Sequence, residues 1–234
     1  MATPDDPSDD NGASHAGHRA RLRQRFLAAG AEALADYELL ELLLFLAKPR
    51  GDVKPLAKRL IARFGSFAEA VSAPPEALAR VDGMGEASIA ALKTAQAAAA
   101  RLLAGSLRDR PLLSSWSQLL DYCRVAMAHQ PVEEVRVLYL DRKNRLIVDE
   151  RQGRGTVDHT PLYPREVVKR ALELGASALI VVHNHPSGDP TPSQADIAMT
   201  RQLADAATAL GLVLHDHLIV ARGGHTSFRS AGLL

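Results

Sequence analysis

The periodicity of the apolar residues changes once along this 234-residue chain, and the change limits the folds that the chain can adopt. Between His18 and Leu103 apolar side chains recur at helical spacing, in a segment rich in Ala, Leu, Arg and Glu with almost no β-branched runs. After residue 115, apolar runs that favour strands alternate with helical patterns. The sequence therefore predicts an α/β protein with an all-helical N-terminal domain and a mixed α/β C-terminal domain.

Turn-forming residues and charge predict the domain boundaries. Residues 1–17 are acidic and contain Pro, Gly and Ser, without the basic start and apolar centre of a secretory signal, so we expect a disordered tail. Residues 18–104 form the helical domain, with five or six short helices. Residues 105–115, where Gly, Pro and Ser cluster, are predicted to be a linker, and residues 116–234 form the α/β domain.

The predicted elements of the second domain alternate between the two kinds of pattern. In chain order they are a helix near WSQLLDYCRVAMAH, the strands EEVRVLYLD and RLIVDERQ, the helix PREVVKRALELGA, the strand SALIVVHNH, the helix SQADIAMTRQLADAATALG and the strand LVLHDHLIVA. After the first helix, the order β-β-α-β-α-β predicts a layered α/β sandwich.

Apolar run length and cysteine content indicate where the protein acts. There is no run of 18 uncharged apolar residues, since LLELLLFLA is too short to span a bilayer, so we expect no membrane helix. The single cysteine, Cys123, cannot form an internal disulfide, and its neighbours favour a buried helix position. We expect a cytoplasmic protein. The sequence gives no indication of the oligomeric state.

A helix-hairpin-helix pattern lies in the helical half. PEALARVDGMGEASIAALKTAQ combines a short helix, a turn built on Gly83 and Gly85, and a longer Ala-rich helix. It resembles the DNA-binding form of this motif, in which glycines let backbone N–H groups approach a phosphate. Residues 15–110 carry 15 Lys and Arg against 10 Asp and Glu, which permits non-specific DNA contact without requiring it. Glycines that only close a helix–helix turn are the alternative.

The segment HNHPSGDPTPSQAD contains the residue types of a metal site. His183 and His185 are two residues apart at the end of a strand, so their side chains project from the same face. The loop then leads to a helix that begins at Ser193 and carries Asp196 in its first turn. Two imidazole nitrogens, one carboxylate oxygen and a water match the open coordination of a catalytic zinc. We predict one zinc ion per chain.

Some of these residues also have a purely structural explanation. The sequence SQAD is a capping box, in which Ser193 and Asp196 satisfy the amides at the start of a helix, and this role is compatible with catalysis. The sequence HDH, residues 215–217, repeats the same-face geometry of two histidines. No acidic or cysteine ligand follows at a suitable distance, so we expect a role in packing or in support of the metal ligands.

The spacing H-x-H-x10-D, with a serine three residues before the aspartate, resembles that of the JAMM (MPN or JAB-domain) metallopeptidases. Together with PREVVKRAL and DHLIV, the segment more closely resembles the bacterial RadC family, whose members carry the name DNA repair protein RadC. That family also joins a helical region containing a helix-hairpin-helix to a JAMM domain. The resemblance covers nearly the whole chain from about residue 18, and it implies a cytidine-deaminase-like sandwich with His183, His185 and Asp196 as zinc ligands.

The resemblance also implies two residues that act beside the metal. One is a glutamate on an earlier strand, and EEVRVLYLD offers Glu133 and Glu134. We predict Glu134, because it aligns with the family's glutamate at the start of the strand. The other is Ser193, which corresponds to the serine that steadies the tetrahedral intermediate.

These residue types fit hydrolysis of an amide or isopeptide bond in a peptide or protein substrate. Zinc makes hydroxide available near neutral pH, and a nearby carboxylate can transfer the proton to the leaving amine. A DNA-associated accessory factor with a structural or regulatory metal is the second hypothesis. A nucleic-acid phosphodiesterase is the third, although a single zinc lacks the second metal that clamps an in-line displacement. The number of metal ions per chain distinguishes these hypotheses.

Overall fold

The computed structural model describes residues 10–108, 111–154 and 162–234. The chain divides into two compact units, Met1–Gln96 and Ala97–Leu234. In the described residues, no helix is long and apolar enough to cross a membrane.

The first unit is helical, as the periodicity predicts. Its helices are α1 (Asp10–Ala29), α2 (Asp36–Ala47), α3 (Lys54–Phe64), α4 (Phe67–Ser72), α5 (Pro75–Ala79) and the first part of α6 (Glu86–Arg108), with a short 3₁₀ helix at Ala31–Ala33. Buried leucines from five of these helices contribute to its core, among them Leu22, Leu44, Leu60, Leu78 and Leu92.

The start of α1 differs from the predicted boundary. The helix begins at Asp10, so residues 10–17 are helical, and the prediction that they belong to a disordered tail is wrong. These residues include poor helix formers. Once a helix is nucleated, however, each further hydrogen bond requires the backbone of only one more residue to be fixed, so the helix extends easily. Residues 1–9 of the predicted tail lie outside the described residues.

The second unit is built on a mixed sheet with the strand order β2-β1-β3-β4-β5. Its elements are α7 (Trp116–Met127), β1 (Glu134–Leu140), β2 (Leu146–Arg154), α8 (Pro164–Glu173), β3 (Ala178–Asn184), α9 (Gln194–Ala209), β4 (Val213–Ala221) and β5 (Gly224–Ser227). β3 and β4 are parallel, and the other pairs are antiparallel. All predicted elements are present, and the predicted fold class is confirmed. β5 was not predicted.

Alternation along the central strands produces two cores, one on each face of the sheet. On one face, Val181 and its neighbours pack with Val167 of α8 and Leu203 of α9. On the other face, Val182 and its neighbours pack with α7, including Cys123, whose predicted burial is confirmed. Residues of β3 therefore point alternately to the α8/α9 face and to the α7 face.

The predicted linker is partly wrong. α6 continues through Arg108, and Leu112–Ser115 form a 3₁₀ helix, whereas residues 109–110 lie outside the described residues. Leu107 is fully buried in the core on the α7 face, with Leu103 and Ala104 packed against it. Apolar packing by these side chains outweighs the turn preference of Gly105 and Ser106.

Candidate metal centre

Two histidine side chains meet at the carboxyl end of β3. His183 is the penultimate residue of the strand, with a side chain only 1% exposed, and His185 is the first residue after it. The backbone N–H of His185 still donates to Val220 of β4 at 3.1 Å, so the sheet fixes the direction of both residues. Their Nε2 atoms face each other at 2.9 Å. The two side chains therefore converge, as their spacing predicts, and their role as metal ligands stays a prediction.

The third predicted ligand returns on the first turn of α9. Asp196 Oδ1 lies 3.4 Å from His183 Nε2, and Asp196 Oδ2 lies 3.6 Å from His185 Nε2. The capping box aims this carboxylate, because the Ser193 backbone N–H and hydroxyl donate to Oδ2 at 2.8 and 2.7 Å. The Asp196 backbone N–H donates back to Ser193 Oγ at 3.1 Å. Helix capping thus holds Asp196 beside the histidines.

Each imidazole is also held through its second nitrogen. His185 Nδ1 lies 2.8 Å from the backbone carbonyl oxygen of Asp189, in the loop that joins β3 to α9. His183 Nδ1 lies 2.7 Å from Nε2 of the fully buried His217 on β4. Support of this kind fixes the orientation of histidines that bind metals. Of the HDH sequence, His217 thus contacts a candidate ligand, as expected of a supporting residue, whereas His215 contacts Asn144 instead.

The pKa shifts of His183 and Asp196 favour metal binding at neutral pH, whereas the shift of His185 opposes it. Burial lowers the pKa of His183 to about 4, so its imidazole is neutral. Burial alone would raise the pKa of the Asp196 carboxyl, but hydrogen bonding with His185, the nearby His183 and the bonds from Ser193 hold it well below its usual value. The hydrogen bond with Asp196 raises the pKa of His185. A neutral imidazole and an ionised carboxylate are the forms that bind metals.

The three side chains fit zinc. Their ligand atoms, two nitrogens and one oxygen, all lie within 4.8 Å of one another. Donor sets of this kind are those of catalytic zinc sites, which keep a fourth position for water or substrate. In residues 10–108, 111–154 and 162–234, these three residues form the one group of such side chains close enough to share an ion.

Glu134 does not reach this site, so the prediction of its role is wrong. Strand pairing places Val135 opposite His183, and Glu134 therefore points to the face on which Asn184 lies. Its carboxylate is buried there and accepts from Arg136 Nε at 2.7 Å, and it lies 3.5 Å from Arg151.

Glu133 lies instead on the face of the sheet that carries His183. It precedes β1 by one residue and is two residues before Val135, so it projects toward the same side as His183. It is half-buried, and its charge raises the pKa of His185. Of the two adjacent glutamates, Glu133 is therefore the one on the face of His183, with a charge that acts on His185.

The glycines of the predicted hairpin do not behave alike. Gly83 adopts a positive φ of 87° in the turn between α5 and α6, a conformation that favours glycine. A Cβ atom there would lie 3.1 Å from the Arg59 side chain, which donates to the carbonyl of Asp82. Gly85 has no positive φ and ends the turn, directly before α6 begins at Glu86. The predicted short helix, glycine turn and longer helix are therefore present, whereas DNA contact by this hairpin stays a prediction.

Comparisons with known proteins agree with this fold and identify the family of the chain. Residues 113–233 match the model of the RadC-like JAB domain, and residues 14–90 match the model of the UPF0758 N-terminal region. The second unit is thus a JAB domain.

Curated relatives match the chain over most of its length. A UPF0758 protein of Rhodobacter capsulatus is 67% identical over 91% of this chain and 100% of its own length. A UPF0758 protein of Ruegeria pomeroyi is 60% identical over 93% of this chain and 97% of its own length. The chain belongs to the RadC family, also named UPF0758.

One residue beside the ligands was missed from the sequence. Thr200 follows Asp196 by one helical turn, and its hydroxyl contacts both the Asp196 carbonyl and His217 at 2.6 Å. Its spacing of four residues from a metal-ligand candidate on the same helix face was the available signal.

Proposed function

We propose that the JAB domain of this chain is a zinc-dependent hydrolase of amide or isopeptide bonds in peptide or protein substrates. The observation that supports this most strongly is the convergence of His183, His185 and Asp196, with each side chain oriented by a further hydrogen bond. Zinc, when bound, supplies a Lewis acid and lowers the pKa of a water to about 7. Family membership supports a hydrolase with this donor set.

Glu133 is the residue that we propose as general base and acid. Its position on the face of His183 allows it to take a proton from the attacking water and to pass that proton to the leaving amine. Glu134 cannot share this task, because its carboxylate is committed to Arg136 on the opposite face. Proton transfer by a placed carboxylate contributes about 10² to 10⁴ in rate.

The Ser193 hydroxyl is already engaged in a hydrogen bond with Asp196 and does not point freely toward a substrate. Its hydroxyl donates to Asp196 Oδ2, so its first role is to orient the ligand carboxylate. We propose that the same hydroxyl stabilises the developing oxyanion when it turns from Asp196 toward the substrate. Donors in such positions contribute about 3 kcal/mol to transition-state stabilisation.

Two measurements on purified protein test the proposal. Metal analysis should find about one zinc per chain in the wild type and none in His183→Ala, because the site offers three protein ligands. A peptide-library screen should reveal cleavage that Glu133→Gln reduces by at least about 10²-fold with zinc content unchanged.

The matched control is Glu134→Gln. It changes the neighbouring residue in the same way and should leave both zinc content and turnover intact, with some loss of stability from the buried Arg136 contact. Full turnover in Glu133→Gln, or full zinc in His183→Ala, would contradict the proposal.

A second proposed function is DNA binding by the helical unit. The supporting observations are the α5–turn–α6 geometry, with its glycine at positive φ, and the excess of basic residues between residues 15 and 110. Binding through phosphates would be weak, independent of sequence and steeply reduced by salt. Titration of the full chain with labelled duplex at two salt concentrations tests this, and no binding at low salt would exclude it.

A cytoplasmic location fits the free, buried thiol of Cys123.

A further inference from the structure

The candidate metal centre is connected to a buried chain of hydrogen-bonding groups. Thr200 Oγ1 lies 2.6 Å from the backbone carbonyl oxygen of Asp196 and 2.6 Å from Nδ1 of His217. His217 Nε2 in turn lies 2.7 Å from Nδ1 of His183. Thr200 and His217 are both almost wholly inaccessible to solvent. The chain therefore runs from the backbone of one ligand candidate to the ring of another.

The direction of each hydrogen bond follows from the number of protons available. A carbonyl oxygen only accepts, so the single hydroxyl proton of Thr200 must lie toward Asp196. Thr200 Oγ1 then accepts from His217, and His217 Nδ1 carries the proton of that bond.

The proton position on His217 determines the proton position on His183. His217 is buried, with its ring stacked on Phe228 at a centroid distance of 4.5 Å, and a second proton on such a ring would place an unpaired charge in an apolar core. Its Nε2 is therefore bare and accepts from His183 Nδ1. His183 in turn presents a bare Nε2 toward Asp196 and His185.

We propose that Thr200 and His217 form a relay that fixes His183 in the Nδ1–H form and aims its Nε2 lone pair at the metal. The inference rests on the proposed zinc site for its consequence, but the proton positions follow from the chain's own contacts. Thr200 and His217 are positioning residues, since they act through His183. The relay also ties the proton position on His183 to the backbone of Asp196, so two ligands on different elements are set by one network.

Removing the hydroxyl should reverse the relay. In Thr200→Val, His217 Nδ1 loses its acceptor, and the His217 proton is better placed on Nε2, where it can donate to His183 Nδ1. The proton of His183 then moves to Nε2, where it blocks metal binding. Thr200→Ser keeps the hydroxyl and should restore the wild-type arrangement. Thr208→Val, an exposed threonine on the same helix, is the matched control.

The experiment reads proton positions and zinc affinity separately. Nitrogen-15 NMR of histidine-labelled, metal-free protein should show His183 protonated on Nδ1 in the wild type, Thr200→Ser and Thr208→Val, and on Nε2 in Thr200→Val. Competition with a zinc chelator should show a 10- to 100-fold weaker affinity in Thr200→Val alone, the usual effect of losing such support.

Several results would overturn the relay. An Nε2–H form of His183 in the wild type would do so even if Thr200→Val failed to fold. An unchanged tautomer in folded Thr200→Val would also do so, whatever happened to zinc affinity. If the wild type bound no zinc, the proposed function would fail, whereas the NMR measurement on metal-free protein would still decide the relay.

Discussion

Asn184, the middle residue of the HNH sequence, should contribute strongly to the stability of the JAB domain. Its side chain is fully buried and makes three contacts with the segment that leads into β1. Oδ1 accepts from the Glu134 backbone N–H at 2.9 Å, and Nδ2 donates to Val132 O at 3.1 Å and to Gln130 O at 3.4 Å. The same contacts hold Glu133 in place between them.

Replacement of this residue by alanine should lower the free energy of unfolding by about 3 kcal/mol. A net hydrogen bond contributes about 1 kcal/mol, and a buried N–H left without an acceptor costs about 1–3 kcal/mol. Asn184→Asp keeps the shape and the acceptor for Glu134 but turns the donor into an acceptor facing two carbonyl oxygens. It should be at least as destabilised as Asn184→Ala.

Urea unfolding followed by tryptophan fluorescence measures this effect in the second structural unit, which contains Asn184. Trp116 is the only tryptophan of the chain and lies in the second unit, so its emission reports on the JAB domain. The midpoint should fall with an unchanged slope. Gln202→Ala removes an exposed amide from α9 and should stay within about 0.5 kcal/mol of the wild type. A loss below about 1 kcal/mol in Asn184→Ala would refute the reasoning.

Three further variants test other parts of the structure. Leu107→Ala should lower the free energy of unfolding in the same assay by about 2–5 kcal/mol, because it removes a fully buried side chain, and no loss would contradict this packing. The hydrogen bond from Arg170 lowers the pKa of Glu150, so this pair stabilises the fold above about pH 4.5 and loses its effect as the pH falls further. The melting temperatures of Arg170→Gln and of the wild type should therefore differ at neutral pH and converge in acid. Asp196→Asn should weaken zinc binding in chelator competition, because it removes a charged ligand, and unchanged affinity would remove Asp196 from the ligand set.

Local patterns were sufficient to place the candidate metal ligands together but not to identify the glutamate near them. His183, His185 and Asp196 lie within one strand–loop–helix segment, where spacing determines direction. The choice between Glu133 and Glu134 depends instead on which residue of β1 pairs with His183, a contact between distant parts of the chain. A shift of one residue in that register exchanges the two faces, so a glutamate pair cannot be resolved from its own sequence.

The structure also differs from the sequence prediction in one short strand, β5, and in the position where α6 ends. β5 covers only Gly224–Ser227, which is too short for an alternating pattern to show. Gly105 and Ser106 favour a turn and so predict an earlier end for α6, but the packing of Leu107 extends the helix to Arg108. Tertiary contacts determined the structure wherever local preference was weak or adverse.

The burial of Leu103, Ala104 and Leu107 matters to anyone who wishes to isolate the JAB domain by truncation. A fragment cut at the residue 105–115 segment, where the sequence suggests a safe place, would lose part or all of the apolar cover that α6 gives to the α7 face. The exposed patch would favour aggregation over a monodisperse preparation. A fragment that begins near Ala97 retains the cover and should be the better starting point for crystallisation.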